Sequence, residues 1–215
     1  MSRSVTIPYI AELEMLDNNA LYNALASVGV AVSVDCNNWA AEYPYTPTVE
    51  ARMAYSKCGL AILFNVTESH TKAVELADNG HVWEDSCVEF FVANPAGKGY
   101  FNFELNAIGT LLAAVRTSRE CATHFEAERL SAVRRYTSFE HKEVEVCESN
   151  SWYAVEMIPF ALLGLQSPPK SLRANLYKCG DKLQQPHFLS WSPITLDKPN
   201  FHCPDYFGTL IFEHE

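Results

Sequence analysis

The chain has 215 residues, a formal net charge of −10, 48% hydrophobic residues and 20% charged residues. This composition is typical of a globular domain, and no apolar run is long enough to span a membrane. The negative charge argues against a nucleic-acid partner, which requires Lys and Arg, and weakly against an anionic membrane surface. It is compatible with a neutral polar ligand.

The N-terminal segment and the cysteines indicate where the protein works. The first ten residues, MSRSVTIPYI, lack the basic-then-apolar pattern of a secretory signal, so we expect a cytoplasmic protein. The seven cysteines are odd in number and scattered, and no two form a CxxC pair. The sequence therefore indicates neither a disulfide framework nor a zinc site, and we expect reduced thiols that mostly pack as small hydrophobic side chains.

The first predicted element is a helix within LDNNALYNALASVG. Asp17 or Asn18 can cap its start, and Gly29 can end it. Its apolar stripe is predicted to comprise Leu21, Leu25 and Val28. A short strand, AVSVD, follows, and NNWAAEYPYTPTVE is then a loop punctuated by proline.

Most of the remaining chain predicts antiparallel strands. Residues 49–55 and 59–67 form a pair, and DSCVEFFVANPAGKGYFNFELNAIGTLLAAVRT contains two or three consecutive strands. Thr123 and Glu126 offer a capping box for a helical turn. Later strands are predicted near 131–137, 142–147, 151–158, 171–178, 187–192 and 207–213. Because many short strands separated by turns are typical of a sandwich or barrel, we predict one all-β domain over residues 1–215, mainly antiparallel, with a few short helices.

The strand YFNFELN carries an unusual polar face. Because side chains alternate between the two faces of a strand, Phe101, Phe103 and Leu105 share one face. The opposite face carries Tyr100, Asn102, Glu104 and Asn106. The same alternation in the neighbouring segments predicts a larger polar row on one sheet face, comprising Arg52, Glu89, Asn102, Glu104, Asn106, Arg173, Asn175 and Tyr177.

Such a row has two interpretations. Asn, Glu and Arg side chains can make paired hydrogen bonds to sugar hydroxyls, and a Trp ring can pack on the apolar face of a pyranose. The candidate rings are Trp39, Trp83, Trp152 and Trp191. Alternatively, the row is only the solvated side of an antiparallel sheet with cross-strand ion pairs, and the Trp rings pack in the core.

Five segments in order carry a family resemblance: WEDSCVEFFVANP, YFNFELNAIGTLL, RANLYKCGD, WSPI and PNFHCPDYFGTLIFE. Together with NWAAEYPYTPTVEARMAYSKCGLAILFNVTE, they resemble the family 9-like carbohydrate-binding module in the version found as stand-alone bacterial proteins. The resemblance runs from about Trp39 to Phe212. It implies a β-sandwich that binds a carbohydrate or polysaccharide without catalysis, with a role in carbohydrate catabolism.

The resemblance also implies a site. In the better-known modules of this group, two aromatic side chains sandwich a terminal sugar ring, polar residues bind its hydroxyls, and calcium ions can brace loops. Trp83 matches one stacking aromatic, and Trp191 or Tyr177 is expected to be the other. The expected polar contacts are Arg52, Glu89, Asn102, Glu104, Arg173 and Asn175. No catalytic residue and no cofactor is expected, apart from calcium held by loop acids such as Glu84 and Asp85.

Three other functions stay open at this point. Glu89 and Glu104 could be the acid/base pair of a small glycan hydrolase, or the sheet face could meet another protein in the cytoplasm. A related sandwich holds haem through Met and His. Met53 and Met157 lie on strands, but both fall on apolar faces, which favours core packing.

Overall fold

The computed structural model describes residues 2–213. Its strands in chain order are β1 (Ser4–Ile7), β2 (Val30–Ser33), β3 (Cys36–Asn37), β4 (Thr48–Tyr55), β5 (Gly59–Glu68), β6 (Thr71–Ala73), β7 (Cys87–Ala93), β8 (Tyr100–Asn106), β9 (Leu111–Arg116), β10 (Ala122–His124), β11 (Arg134–Thr137), β12 (Val144–Val146), β13 (Asn150–Pro159), β14 (Ser171–Cys179), β15 (Phe188–Ser190) and β16 (Gly208–Phe212). Two α-helices are α1 (Asn18–Val28) and α2 (Ala127–Ala132). Short 3₁₀ helices occur at Leu13–Met15, Val82–Glu84, Phe160–Leu163 and Pro204–Tyr206.

Two large sheets form a sandwich. The larger sheet has nine strands in the order β1-β16-β14-β7-β8-β9-β10, with β15 beside β14 and β3 beside β15. The smaller sheet has five strands in the order β11-β13-β5-β4-β2, and β12 pairs with β6 separately. Except for the parallel pair of β1 and β16, these strands pair antiparallel. The predicted fold class, an all-β and mainly antiparallel β-sandwich, is confirmed.

The core lies between the facing sides of the two sheets. Phe90 and Phe103 of the larger sheet belong to the same apolar cluster as Met53, Ile62 and Phe64 of the smaller one. These five side chains are fully buried. Each strand contributes alternate residues because its side-chain period is two, and burial of this apolar area is the main driving force for the fold.

Helix α1 covers the outer face of the smaller sheet. The Asp17 carboxylate accepts a hydrogen bond from the Ala20 N–H at 2.8 Å, and Gly29 is the C-terminal cap, as predicted. Leu21 and Leu25 pack in one cluster with Leu63 and Met157 of the sheet. Val28 does not join this stripe, because 56% of its surface is exposed at the last turn of the helix.

Loops and aromatic side chains cover the outer face of the larger sheet. All seven residues of β8 are buried, so neither face of this strand meets bulk solvent. Phe91, Tyr100 and Tyr177 form a second cluster on this outer face with residues of the covering segments, such as Trp39 and Phe207. The polar row of β8 therefore lies in a buried layer, and the interpretation as a solvated face is wrong.

Several local predictions differ from the structure. Thr123 lies in β10, and Glu126 precedes α2 without a side-chain capping bond, so the predicted capping box does not form. Cys58, Cys121 and Cys147 are exposed and do not pack as small hydrophobic side chains. Within residues 2–213, none of the helices has the length and apolar composition that crossing a membrane would require.

Candidate functional site

The polar row meets at the centre of the larger sheet. Glu89 of β7 lies directly opposite Glu104 of β8, and its other neighbour is Tyr177 of β14. Asn102 lies one step along the same face of β8, and Arg116 of β9 is opposite Tyr100. This placement follows from strand alternation and antiparallel register, which bring side chains from four consecutive strands onto one face.

A cavity of about 450 Å³ opens above this row. It is lined by Tyr43, Trp83, Glu89, Glu104, Arg116, Arg119, Cys179, Asp181, Phe188, Lys198, Pro199, Asn200, Phe201 and His202. The larger sheet supplies the floor, and the helical turn Val82–Glu84 before β7 and the loops after β3, β9, β14 and β15 supply the walls. A cavity of this size lies within the range of about 300–1,000 Å³ that is usual for small-molecule sites.

Two carboxyl groups form the floor. Burial, together with the charge of Glu104, raises the pKa of Glu89 well above its usual value of 4.5. Burial also raises the pKa of Glu104 to about 7, although the Asn102 amide and the Arg116 charge act in the opposite direction. Because two carboxylates so close together repel one another, the pair retains a proton near neutral pH. The floor then offers both a hydrogen-bond donor and acceptors.

A chain of hydrogen bonds fixes Glu104. Arg116 Nε donates to Asn102 Oδ1 at 3.0 Å, and Asn102 Nδ2 donates to Glu104 Oε1 at 2.8 Å. Arg116 also donates to the Arg119 carbonyl at 2.6 Å, which holds the loop after β9 against the cavity. The Cys179 thiol donates to Glu89 Oε1 at 3.0 Å. Both acidic side chains are therefore positioned by buried neighbours rather than by solvent.

Further charged groups surround the floor. Burial and the nearby Glu84 charge raise the pKa of Asp181 to about 6, although the Arg119 charge lowers it. Lys198 lines the same cavity from the loop after β15. The cavity therefore combines three acids with three basic side chains, and with one proton retained on the Glu89–Glu104 pair the positive charges exceed the negative ones by about one.

Aromatic side chains form the walls. Trp83 is half-buried and lies beside His81, with 4.6 Å between ring centroids. Phe201 stacks on Tyr177 at 4.1 Å with 9° between the ring planes. Tyr43 meets Phe188 edge to face at 4.8 Å. The cavity thus has flat apolar surfaces next to a polar floor, a combination that suits the two-sided character of a sugar ring.

The loop between β15 and β16 is fixed to the rest of the protein. Trp39 Nε1 donates to the Leu196 carbonyl at 2.8 Å, and the Ile194 N–H donates to Asn38 at 2.9 Å. The Tyr177 hydroxyl donates to the Phe201 carbonyl at 3.1 Å. These buried or half-buried contacts fix the cavity wall to the rest of the protein.

Among the predicted contact residues, Trp83, Glu89 and Glu104 line the cavity. Asn102 and Tyr177 lie one layer below, where Asn102 supports Glu104 and Tyr177 supports Phe201. Their direct contact with a sugar stays a prediction. Asn175 is fully buried and bonds to both backbone groups of Ser192, at 3.0 and 2.8 Å.

Arg52 does not belong to this face. It lies on β4 of the smaller sheet, and its guanidinium donates to Glu50 at 2.7 Å and to the Ala26 carbonyl at 2.9 Å. Side-chain alternation along β4 is as predicted, but the prediction that this strand lies beside the other polar strands is wrong, because β4 belongs to the smaller sheet. Its role is to hold the last turn of α1.

Arg173 and Trp191 also lie outside the cavity lining. Arg173 donates to the carbonyls of Asp205 and Phe207, at 3.1 and 2.8 Å. Trp191 is 2% exposed and belongs to the core between the sheets. It packs so closely on Gly208 that a Cβ there would lie 2.5 Å from the indole. Trp191 therefore cannot be the second stacking ring.

The sequence interpretation missed most of the walls. The missed lining residues are Tyr43, Arg116, Arg119, Cys179, Asp181, Phe188, Lys198, Pro199, Asn200, Phe201 and His202. Alternation along LLAAVR could have found Arg116, because it shares the face of Tyr100 and Glu104 through the β8–β9 register. The loop residues 198–202 gave no periodic signal.

The acids expected to hold calcium do not fit that role. Asp85 accepts N–H donors from Val74, Glu75 and Asn106 at 2.9–3.1 Å. Calcium requires free oxygen ligands, whereas these donors already occupy the Asp85 carboxylate. Glu84 pairs with Lys182 at 2.9 Å.

Comparison with known families and structures shows which family the chain resembles. The family described as carbohydrate-binding family 9 matches residues 20–212. The chain belongs to this family. The predicted resemblance and the predicted function class, carbohydrate binding, are thereby confirmed. No curated protein sequence is significantly similar to this family 9 chain.

Solved structures agree with the family 9 assignment. A candidate carbohydrate-binding protein from Bacteroides uniformis ATCC 8492 is 37% identical, with a TM-score of 0.92 over 99% of this chain and 100% of its own. A family 9 module from Caldicellulosiruptor kristjanssonii, solved with glucose, is 10% identical with a TM-score of 0.61 over 99% and 97% of the two chains. A family 9 module from the same organism, solved with cellotriose, is 9% identical, with a TM-score of 0.60 over 99% of this chain and 95% of its own. The last two similarities show the shared fold.

Proposed function

We propose that the cavity binds one end of a neutral saccharide, with one sugar ring between Trp83 and the Phe201 wall. The observation that carries this proposal is that the Glu89–Glu104 pair and Trp83 line the same cavity. Sugar hydroxyls both donate and accept hydrogen bonds, and a carboxyl pair that shares a proton can do the same. The indole face packs on the C–H face of the ring.

The preferred ligand in this proposal is a glucose unit, free or at the end of a short glucan. Support comes from the Caldicellulosiruptor kristjanssonii module of the same fold, which was solved with glucose and with cellotriose. The cavity lining mixes three basic side chains, Arg116, Arg119 and Lys198, with three acids, and this mixture of signs suits the hydroxyl groups of an uncharged sugar.

The arrangement of the two carboxyl groups favours binding over hydrolysis. A glycosidase pair flanks the scissile bond, with one carboxyl group on each side of it. Here Glu89 and Glu104 lie side by side on one floor, and burial raises the pKa of both. We therefore assign them to recognition of hydroxyl groups.

Isothermal titration calorimetry with glucose, cellobiose, cellotriose and galactose tests the proposal. We expect saturable one-to-one binding of the glucose series by the wild type. We expect Trp83→Ala and Glu104→Gln to weaken binding at least about tenfold, equivalent to about 1.4 kcal/mol. Glu140→Gln is a matched control because Glu140 is exposed and pairs with the exposed Lys142 at 2.6 Å. Absence of binding, or release of glucose from cellotriose by the wild type but not by Glu104→Gln, would reject this function.

A further inference from the structure

Two cysteines and a glutamate come together at one edge of the cavity floor. Cys87 and Glu89 lie two residues apart on β7 and therefore on the same face. Cys179 of β14 is the direct cross-strand neighbour of Cys87. The two thiol sulfurs and a Glu89 oxygen lie within 4.8 Å of one another.

The cluster is buried yet reachable. Cys87, Cys179 and Glu89 are 0%, 1% and 3% exposed. Cys179 and Glu89 line the cavity, and the Cys179 thiol already donates to Glu89 Oε1 at 3.0 Å. An ion can therefore arrive through the cavity without unfolding of the sheet. No sequence pattern indicates this site, because 92 positions separate the two cysteines and only the pairing of β7 with β14 brings them together.

We propose that Cys87, Cys179 and Glu89 bind a zinc-type divalent cation whose fourth coordination position opens into the cavity. Thiolate sulfur and carboxylate oxygen are ligands that Zn²⁺ accepts, whereas Ca²⁺ and Mg²⁺ take oxygen alone. Tetrahedral zinc has bonds of about 2.3 Å to sulfur and about 2.0–2.2 Å to oxygen. These bonds place the ligands about 3.4–3.8 Å apart, and the three donor atoms here lie within 4.8 Å of one another.

Binding requires a defined proton exchange. Each thiol loses its proton to solvent, and the proton that Glu89 and Glu104 share stays on Glu104, so that two thiolates and the Glu89 carboxylate surround the cation. The Arg116 guanidinium lines the same cavity, and its charge favours the ionised form of Glu89. A water, or a hydroxyl group of a cavity ligand, completes the tetrahedron. The proposal stands on the register and the cavity, and does not rest on sugar binding.

A second cluster supplies an internal control. His70, Glu145 and Cys147 also place their donor atoms within 4.8 Å of one another, but Glu145 and Cys147 are exposed. His70 Nδ1 accepts the Gln184 N–H at 3.2 Å, and Nε2 faces Glu145 at 3.2 Å. The Gln184 N–H occupies the Nδ1 lone pair, and two of the three side chains are exposed to water, so we expect no stable metal binding there.

Cobalt and zinc titrations of the reduced, chelator-treated protein test the proposal. We expect one equivalent of Co²⁺ to produce thiolate-to-cobalt charge-transfer absorption, and Zn²⁺ to displace it. Cys179→Ser and Glu89→Gln should each reduce metal affinity at least tenfold, whereas Cys147→Ser should bind like the wild type. If Cys87→Ser fails to fold, the two cavity-lining variants decide.

The outcomes separate this proposal from sugar binding. No thiolate absorption with the reduced wild type, or full absorption in Cys179→Ser, overturns the metal site. Calorimetry with glucose on the metal-free protein then reports on the sugar site by itself. Loss of absorption in Cys147→Ser alone would assign the metal to the exposed cluster and also reject the proposal.

Discussion

Glu89 and Glu104 lie directly opposite each other on neighbouring antiparallel strands, and both open into the same cavity. Like charges in this register destabilise a sheet, and burial makes their ionisation still less favourable. The molecule accommodates the pair through Asn102, which donates to Glu104, and Cys179, which donates to Glu89. A pair that is unfavourable for folding is thus held in place at the site that faces the ligand.

This pair gives the first prediction, a pH-dependent stability. The pKa of Glu104 is raised from 4.5 to about 7, so the folded state retains a proton that the unfolded state has lost between these values. The free energy of unfolding therefore falls as the pH rises through this window. Glu104→Gln should flatten the dependence by up to about 1.4 kcal/mol per pH unit. Urea denaturation at several pH values measures it, and an unchanged slope in the variant would contradict the assignment.

Glu156 gives the second prediction. It lies on the core side of β13, it is 1% exposed, and among the described residues neither carboxyl oxygen has a hydrogen-bond partner. Burial raises its pKa to about 8, although the Arg135 charge lowers it. The folded state therefore loses stability as the pH rises from 4.5 to about 8.

Glu156→Gln should stabilise the protein, and more so at high pH than at low pH. Burying an ionised carboxylate without a partner costs more free energy than burying a neutral amide without hydrogen bonds. We expect a gain of about 1–3 kcal/mol at about pH 8, and little change at about pH 5, in urea denaturation. Exposed Glu140→Gln is the matched control. A loss of stability at both pH values would show that Glu156 makes a favourable ionised contact.

The sequence predicts the part of this site that lies on strands, because strand side chains alternate between two faces. Alternation identified the two faces of β7, β8 and β14, and so placed Glu89, Glu104 and Tyr177 together. It could not say that a second layer covers the polar face, because that layer comes from loops. Phe201 and Lys198 belong to that layer.

The sequence also does not show to which of the two sheets a strand belongs. Arg52 alternates in the expected way, but β4 pairs with β5 and β2 in the other sheet. Alternation fixes the face of a residue within its strand and leaves the choice of sheet to the long-range pairing. Trp191 shows the same limit, because its indole enters the core beside Gly208 rather than the cavity.

The different positions of Arg116 and Arg173 give a third prediction. Arg116 lines the cavity and acts on Glu104, whereas Arg173 bonds to carbonyls of Asp205 and Phe207 away from it. Arg116→Gln should weaken saccharide binding at least about tenfold, or about 1.4 kcal/mol. Arg173→Gln should bind within about twofold of the wild type. Calorimetry with the same ligand compares them, and the reverse ranking would place the site at the β14–β16 end of the sheet.

A buried ion pair on the opposite side of β14 gives the last prediction. Lys178 Nζ lies 2.9 Å from Glu68, and both side chains are fully buried. Lys178 also donates to the Cys179 carbonyl and contacts His187 Nε2, each at 2.8 Å. Burial and the Lys178 charge lower the pKa of His187 to about 3, so this ring is neutral and Lys178 carries the local positive charge.

Lys178→Met removes that charge and leaves the Glu68 carboxylate buried without its partner. Truncation of one member of a buried pair costs about 3–5 kcal/mol, so we expect a loss of this size in urea denaturation at neutral pH. The double variant Glu68→Gln with Lys178→Met should recover part of the loss, because the orphaned charge is gone. Additive effects of the two substitutions would show that the pair is not coupled. Because β14 also carries Cys179 and Tyr177, any effect of Lys178→Met on saccharide binding should come from disturbance of this strand.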